Sequence, residues 1–472
     1  MRPLTFSLML CAAVILVGCA QPDGSSSGHM AEDNFAYDER DAIPNDIPLP
    51  KPGVNQRPIV GVKKVLVSVV NWQGENTLNK PLVEKHTLST DPDSLRSYVL
   101  AASNGKLTLD GQVISYTSGP RPDLCKSGAP FPYALAQSEG EKAAKAQGLD
   151  PAKFDYLINV IDCGRGAIAD MPGRIMGVFY STLNPFVYKH EFGHNLGYNH
   201  GKSYTKCPKS GDTVLAPAEC TTIENGDTGD TVSGGRTLYP ANNRWYSGWL
   251  DSSQAAIIES TGLYRLGVLG REGPQLYLIN RHSSSPSQLA LEYRKPTPFD
   301  NFPPTDNRVT GVWIRYTTME RWIDNVQLDG TPETVSTADP TLQPGRTLVD
   351  DSARIKVCSA DATGASVAVS INAEALPDCD TPYISSPAQS SVVGILPVFS
   401  GSSSLSDTAV TVITAGNPGD VLATTKTDAR GQWSVRSGKE LKRGTRYVQA
   451  GQSLQGQPIK WSKASSFHVI ER

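Results

Sequence analysis

The feature that most constrains this chain is eleven residues long: positions 190 to 200 read His-Glu-Phe-Gly-His-Asn-Leu-Gly-Tyr-Asn-His. His190 and His194 can face one point only on an α-helix, where positions four apart project from the same side one turn apart. Asn184-Pro185 offers an N-cap and a first-turn proline, so the spacing predicts a helix over residues 186–196. His200 would fall on the wrong side if that helix continued. Gly197 removes the difficulty, because a glycine at positive φ ends a helix and turns the chain back towards the first two imidazoles. His190, His194 and His200 are therefore candidate ligands of one metal ion.

Three neutral imidazoles suit zinc, leaving it its full charge and an open position at which the pKa of water falls towards ~7. Glu191, next to His190, is the natural acceptor for that water's proton and can return it to a departing amine. Five fixed positions in register arise by chance in about one in 10⁴ chains of this length. The plainer reading, a helix with partly exposed histidines, leaves Gly197 and His200 unexplained. His29, His86, His282 and His468 lack any such spacing and read as surface or satisfied interior residues.

At 472 residues the chain exceeds what one hydrophobic core organises, and its 42 Gly and 34 Pro favour many turns and short strands. Strand-like runs at 64–70, 107–113 and 154–161 alternate with helix-like runs at 93–102 and 140–147, the pattern of an α/β domain over residues 58–261. Beyond it, β runs such as 275–279 and 311–316 stand between Pro, Gly and Asp clusters, which predicts a β-sandwich over 262–376. Short strands over 380–472 predict an immunoglobulin-like module. In it Trp433 and Trp461 fill the core or, alternatively, stack on sugar rings.

The first residues read as an export signal, with Arg2, an apolar run at 8–17 and Leu16-Val17-Gly18-Cys19 as the processing site. The run is too short to span a bilayer. The tetrapeptide resembles the bacterial lipobox, which implies a signal over 1–19, a lipid anchor at Cys19 and a tether or short pro-segment over 20–57. An ordinary cleavage site is the alternative. The expected location is the outer membrane or cell surface, with a secreted or periplasmic protein as the other outcome. Cys125, Cys163, Cys207, Cys220, Cys358 and Cys379 then lie in an oxidising compartment, and nearest-neighbour pairing into three disulfides is the expected arrangement. No C-x2-C spacing among them suggests a zinc site. A net charge of −3 without a long Lys/Arg run excludes the footprint of a nucleic-acid binder.

The eleven residues look like the metzincin signature, and their surroundings resemble gametolysin-like metallopeptidases. The likeness runs over roughly residues 60–260, through 94–113 with Ala102-Ser103-Asn104-Gly105-Lys106-Leu107, 154–161, and 226–250 with Gly248-Trp249-Leu250. It implies a metzincin-like α/β catalytic domain, one catalytic zinc and peptide-bond hydrolysis; the expected partner is a polypeptide substrate, with a glycoprotein as one form of it. One departure stands out. Metzincins place a methionine in a tight turn beneath the zinc, but no Met occurs between Met176 and Met319. If residues 226–233 form the matching turn, Val232 takes that place; a solvated surface loop is the alternative. Residues 174–181 would be the edge strand along the cleft, or else an interior strand. Tyr239 and Tyr246 are candidates for hydrogen bonding to a developing oxyanion, or packing residues beside Trp245 and Trp249. Two rival functions remain: a surface lipoprotein binding glycan or protein on an inactive metallopeptidase scaffold, and a zinc hydrolase of a non-peptide bond.

Overall fold

The computed structural model describes residues 57–126, 131–179, 184–453 and 457–471. The expected signal, the Cys19 anchor and the tether up to residue 56 lie outside the described residues. Strand outweighs helix, and the strands form five sheets.

The sheet nearest the His motif contains β1 (Gly61–Asn71), β2 (Leu107–Thr117), β3 (Tyr156–Ile161), β4 (Ala167–Ala169) and β5 (Ile175–Val178) in the order β2-β1-β3-β5-β4. All pairings are parallel except that of β4 with β5. Its central strands β1 and β3 read as nearly continuous apolar runs because both faces are covered, whereas β2 is exposed over residues 110–112. Leu66, Val70, Leu157 and Ile161 face a cluster with Ala136, Ala143 and Ala144, while Val65, Val67, Val69, Ile158 and Val160 face one with Phe192 and Leu196.

The helices α1 (Lys80–Thr87), α2 (Leu95–Ala102), α3 (Asp123–Lys126), α4 (Tyr133–Ala146) and α5 (Phe186–Asn195) flank this sheet, and α6 (Ala241–Tyr246) follows it. Helix α4 lies close on β3 because Gly140 has no side chain: a Cβ there would overlap the Asn159 amide. Helix α5 carries His190 and packs on the opposite face, where Phe192 meets Tyr156 edge-on at 4.7 Å between ring centroids.

Two further sheets lie face to face. Strands β6 (Lys202–Thr205), β7 (Lys209–Ser210), β8 (Thr213–Leu215), β9 (Thr221–Ile223) and β10 (Ala255–Ile257) are followed by β11 (Gly262–Gly267), β12 (Leu276–Asn280) and β13 (Gln288–Tyr293). Then come β14 (Val312–Met319), β15 (Ile323–Gln327), β16 (Thr347–Val349), β17 (Ala353–Ala360) and β18 (Gly364–Ile371). One sheet runs β10-β12-β13-β14-β15-β6-β9, the other β11-β18-β17-β16-β8-β7. Tyr277, Ile279, Leu291 and Tyr316 of the first meet Leu266, Ile355, Val357 and Val367 of the second.

The first of these sheets is covered on its outer face too. Leu276, Leu278, Ala290, Met319 and Ile323 belong to the same core as Phe192 and Val232, so this sheet packs directly against the layers that carry the histidines. The sheets also draw in strands from 202–223, upstream of the boundary expected at 261. Those strands are only two to four residues long and rich in Lys, Ser and Thr, too short to give a period-two signal.

The last strands form a separate two-sheet sandwich around Phe399, Val412, Trp433, Val448 and Phe467. Trp433 is buried in that core. Three disulfides join Cys125 to Cys163, Cys207 to Cys220 and Cys358 to Cys379, the nearest-neighbour arrangement. They fit an extracellular or periplasmic environment. Among the described residues no helix is long and apolar enough to cross a membrane.

Candidate metal centre

Helix α5 starts where its sequence requires, with the Asn184 side chain accepting from the Phe186 N–H at 3.0 Å. Its end is equally determined. Gly197 has φ +94°, its N–H donates to the His194 carbonyl at 2.8 Å, and the Tyr198 N–H donates to the Gly193 carbonyl at 2.9 Å. This paired bonding is the Schellman arrangement, which satisfies the last carbonyls and reverses the chain. The buried Arg57 guanidinium also donates to the Asn195 and Leu196 carbonyls at 3.2 and 3.4 Å, a cation at the negative end of the helix.

The reversal brings His200 to the other two histidines. Its Nε2 lies 3.2 Å from Nε2 of His190 and 3.2 Å from Nε2 of His194. The remaining ring nitrogens of the helical pair are held by carbonyls: His190 Nδ1–H donates to Thr231 at 3.0 Å and His194 Nδ1–H to Tyr198 at 2.8 Å. Each of these rings therefore presents a bare Nε2 lone pair towards His200. A proton on His200 can satisfy only one of the two contacts well, whereas one cation among the three nitrogens satisfies all of them. Ligands about 2.0–2.1 Å from zinc in tetrahedral array stand about 3.3 Å apart, close to the spacing found. The triad is the one group of His, Cys, Asp or Glu among the described residues that could hold a metal ion.

The electrostatics favour neutral imidazoles. Burial first, and then His200, push His190 down to about 4; burial and both neighbouring histidines push His194 down as well, and burial lowers His200. Burial alone pushes the Glu191 carboxyl up to about 8, and no donor among the described residues bonds to it. Glu191, next to His190 on the helix, is thus buried without a structural hydrogen bond among the described residues.

The turn over residues 226–233 runs directly beneath α5 and is no surface loop. Asp227, Asp230, Thr231 and Val232 are buried, and Val232 packs on Gly193. Arg315 on β14 holds Asp227 with two bonds, at 2.6 and 3.1 Å, and reaches Glu292 at 2.6 Å. Glu292 in turn accepts from Arg294 at 2.8 Å. Burial and the adjacent Asp227 push the Asp230 carboxyl up. Its Oδ1 accepts from the Val232 N–H at 2.9 Å, which fixes the turn whose Thr231 carbonyl orients His190.

One expectation is corrected, and one pair of alternatives is decided. Ile175–Val178 is not the edge of its sheet but lies between β3 and β4; the antiparallel Ala167–Ala169 forms the edge. The chain doubles back there as a hairpin, and three residues are too few to show as a strand in sequence. Tyr239 and Tyr246 take the packing alternative: both are buried and donate to the carbonyls of Lys189 at 2.6 Å and Arg321 at 2.7 Å, which leaves neither hydroxyl for an oxyanion. Sequence reasoning also missed Arg57, Asn195 and Arg315. Asn195 donates to the carbonyls of Asp170 at 3.0 Å and Ile175 at 3.1 Å, tying the His helix to the β4–β5 hairpin. No protein-family model matches the chain, and no curated protein matches it.

Proposed function

We propose that this chain is an exported, zinc-dependent endopeptidase of the metzincin type, with His190, His194 and His200 as zinc ligands and Glu191 as general base. The observation that carries the reading is the convergence of three Nε2 atoms, two of them fixed as lone-pair donors, with the buried carboxyl of the neighbouring Glu191, to which no donor among the described residues bonds. Zinc, when bound, polarises a scissile carbonyl and lowers the pKa of water. A positive charge at the triad draws Glu191 down from about 8, so that it is ionised and able to take a proton from the attacking water. Its conjugate acid then delivers that proton to the departing amine. Ala167–Ala169, which pairs with no strand on its outer side among the described residues, would offer main-chain groups to an extended polypeptide, a mode tolerant of side-chain sequence.

The disulfides support the export part of the reading, and the lipid anchor at Cys19 belongs to the same proposal. The rival glycan-binding module loses support from Trp433, which fills a core. The deciding experiment measures zinc content and cleavage of an unfolded protein for wild type and His194→Ala. One zinc per chain with cleavage, both lost in the variant, supports the proposal; a wild type that binds no zinc or cleaves no peptide bond refutes it.

A further inference from the structure

We infer that Asp324, carried by β15 of the downstream sheet, is a positioning residue for the third metal ligand, which makes that sheet a component of the metal centre. The inference rests on the metal reading above. His190 and His194 are placed by helix α5 and oriented by carbonyls at Nδ1. His200 has neither support: it lies beyond the helix, and its ring makes no hydrogen bond outside the triad among the described residues. Its position must be set through its backbone.

That backbone is held from β15. The Ile323 N–H donates to the Gly197 carbonyl at 2.9 Å, and the Asn199 N–H donates to the Ile323 carbonyl at 3.0 Å, a bridge across the turn between the helix and His200. A side-chain relay completes the hold. Trp322 Nε1–H donates to Asp324 Oδ2 at 3.0 Å, Asn199 Nδ2–H donates to Asp324 Oδ1 at 2.6 Å, and the His200 N–H donates to Asn199 Oδ1 at 2.8 Å. The direction of each bond follows from the one before. A carboxylate only accepts, so the Asn199 amide must turn its NH₂ towards Asp324, and this leaves its oxygen for the His200 N–H. With the amide turned over, two donors would face each other at His200 and two acceptors at Asp324.

Exchanging the two side chains tests this without changing the composition or charge of the pair. Asn199→Asp alone keeps the acceptor for His200 but sets two carboxylates against each other. Asp324→Asn alone leaves a donor facing a donor at either Trp322 or Asn199. The double variant Asn199→Asp/Asp324→Asn restores all three bonds with donor and acceptor exchanged across the central one. The measurement is zinc affinity of the full chain, by competition with a chromophoric chelator, alongside thermal unfolding of the metal-free protein.

Asn199→Asp should lose about 10–100-fold in zinc affinity, the usual effect of removing a group that orients a ligand. The double variant should recover most of that loss, beyond what recovery of metal-free stability accounts for. A single variant that binds zinc as tightly as wild type, or a double variant no better than Asn199→Asp, overturns the role of Asp324 while leaving the metal site intact. If wild type and His194→Ala take up zinc equally poorly, the metal reading itself has failed.

Discussion

Gly193 and Val232 touch so closely that a methyl group on Gly193 would overlap the Val232 side chain. The glycine inside the His helix is thus matched to the valine of the turn beneath it. Alanine favours a helix over glycine by about 1 kcal/mol, so Gly193→Ala would stabilise an exposed helix. Here the added carbon also approaches Tyr239 Cε1 to 3.2 Å, and Val232 and Tyr239 are both fully buried. Overpacking of this kind costs about 1–3 kcal/mol. We expect a net loss of roughly 1 kcal/mol on chemical denaturation, with weaker zinc binding because Thr231 moves with Val232. Adding Val232→Ala should recover part of both. A Gly193→Ala protein more stable than wild type would show that the contact is loose.

Glu292 joins two arginines that brace the metal-site turn. Burial would raise its carboxyl, but Arg294 and Arg315 outweigh burial and hold it at about 2. A carboxylate depressed on folding contributes stability that is full above its unfolded value of about 4.5 and is lost as pH falls from there towards about 2. Glu292→Gln leaves buried guanidinium groups short of a counter-charge, which costs about 3–5 kcal/mol at neutral pH. Denaturation midpoints measured from pH 7 to pH 3 should therefore fall more steeply for wild type than for the variant. Parallel curves would mean that Glu292 contributes nothing through its charge.

The parts legible in the sequence are those set locally. The helix Phe186–Asn195, its end at Gly197 and the meeting of three histidines all follow from local spacing, and β1 and β3 follow from nearly unbroken apolar runs. Strand order does not, because Ile175–Val178 and Ala167–Ala169 differ in position only through their partners. The same holds for the supports of the metal site. Arg315 lies 88 residues from Asp227, and Asp324 lies 125 residues from Asn199, so no window contains both members of either pair. Continuous apolar runs also hid the outer contact of β12, whose alternate residues serve two different cores.

Two truncations separate the roles of the downstream strands. The last sandwich has its own core and reaches its neighbour through few bonds, among them the Leu263 N–H to Ser402 Oγ at 2.7 Å. Deleting residues 380–472 should leave zinc content and hydrolysis of a short peptide nearly unchanged. Ending the chain at residue 261 instead removes Arg315, Ile323 and Asp324 and uncovers apolar residues that pack against Leu276 and Leu278. That fragment should be insoluble or free of zinc. A soluble, zinc-loaded fragment of residues 58–261 would show that the sheet contributes nothing to the site.

Glu191 provides the test of chemistry apart from structure. Replacing it with Gln preserves volume and helix while removing the carboxylate, and it leaves all three histidines in place. No hydrogen bond of the fold depends on that carboxylate among the described residues, and its burial as a charged group costs stability. Glu191→Gln should therefore fold at least as stably as wild type in the metal-free state. Zinc should remain near one per chain. Turnover of a peptide should fall by at least ~10²-fold, because positioned acid–base catalysis contributes roughly 10²–10⁴. His194→Ala should lose zinc and activity together, since two imidazoles hold the metal far less well than three. Undiminished cleavage by Glu191→Gln would take the base away from Glu191, whereas loss of zinc from that variant would make the residue structural rather than catalytic.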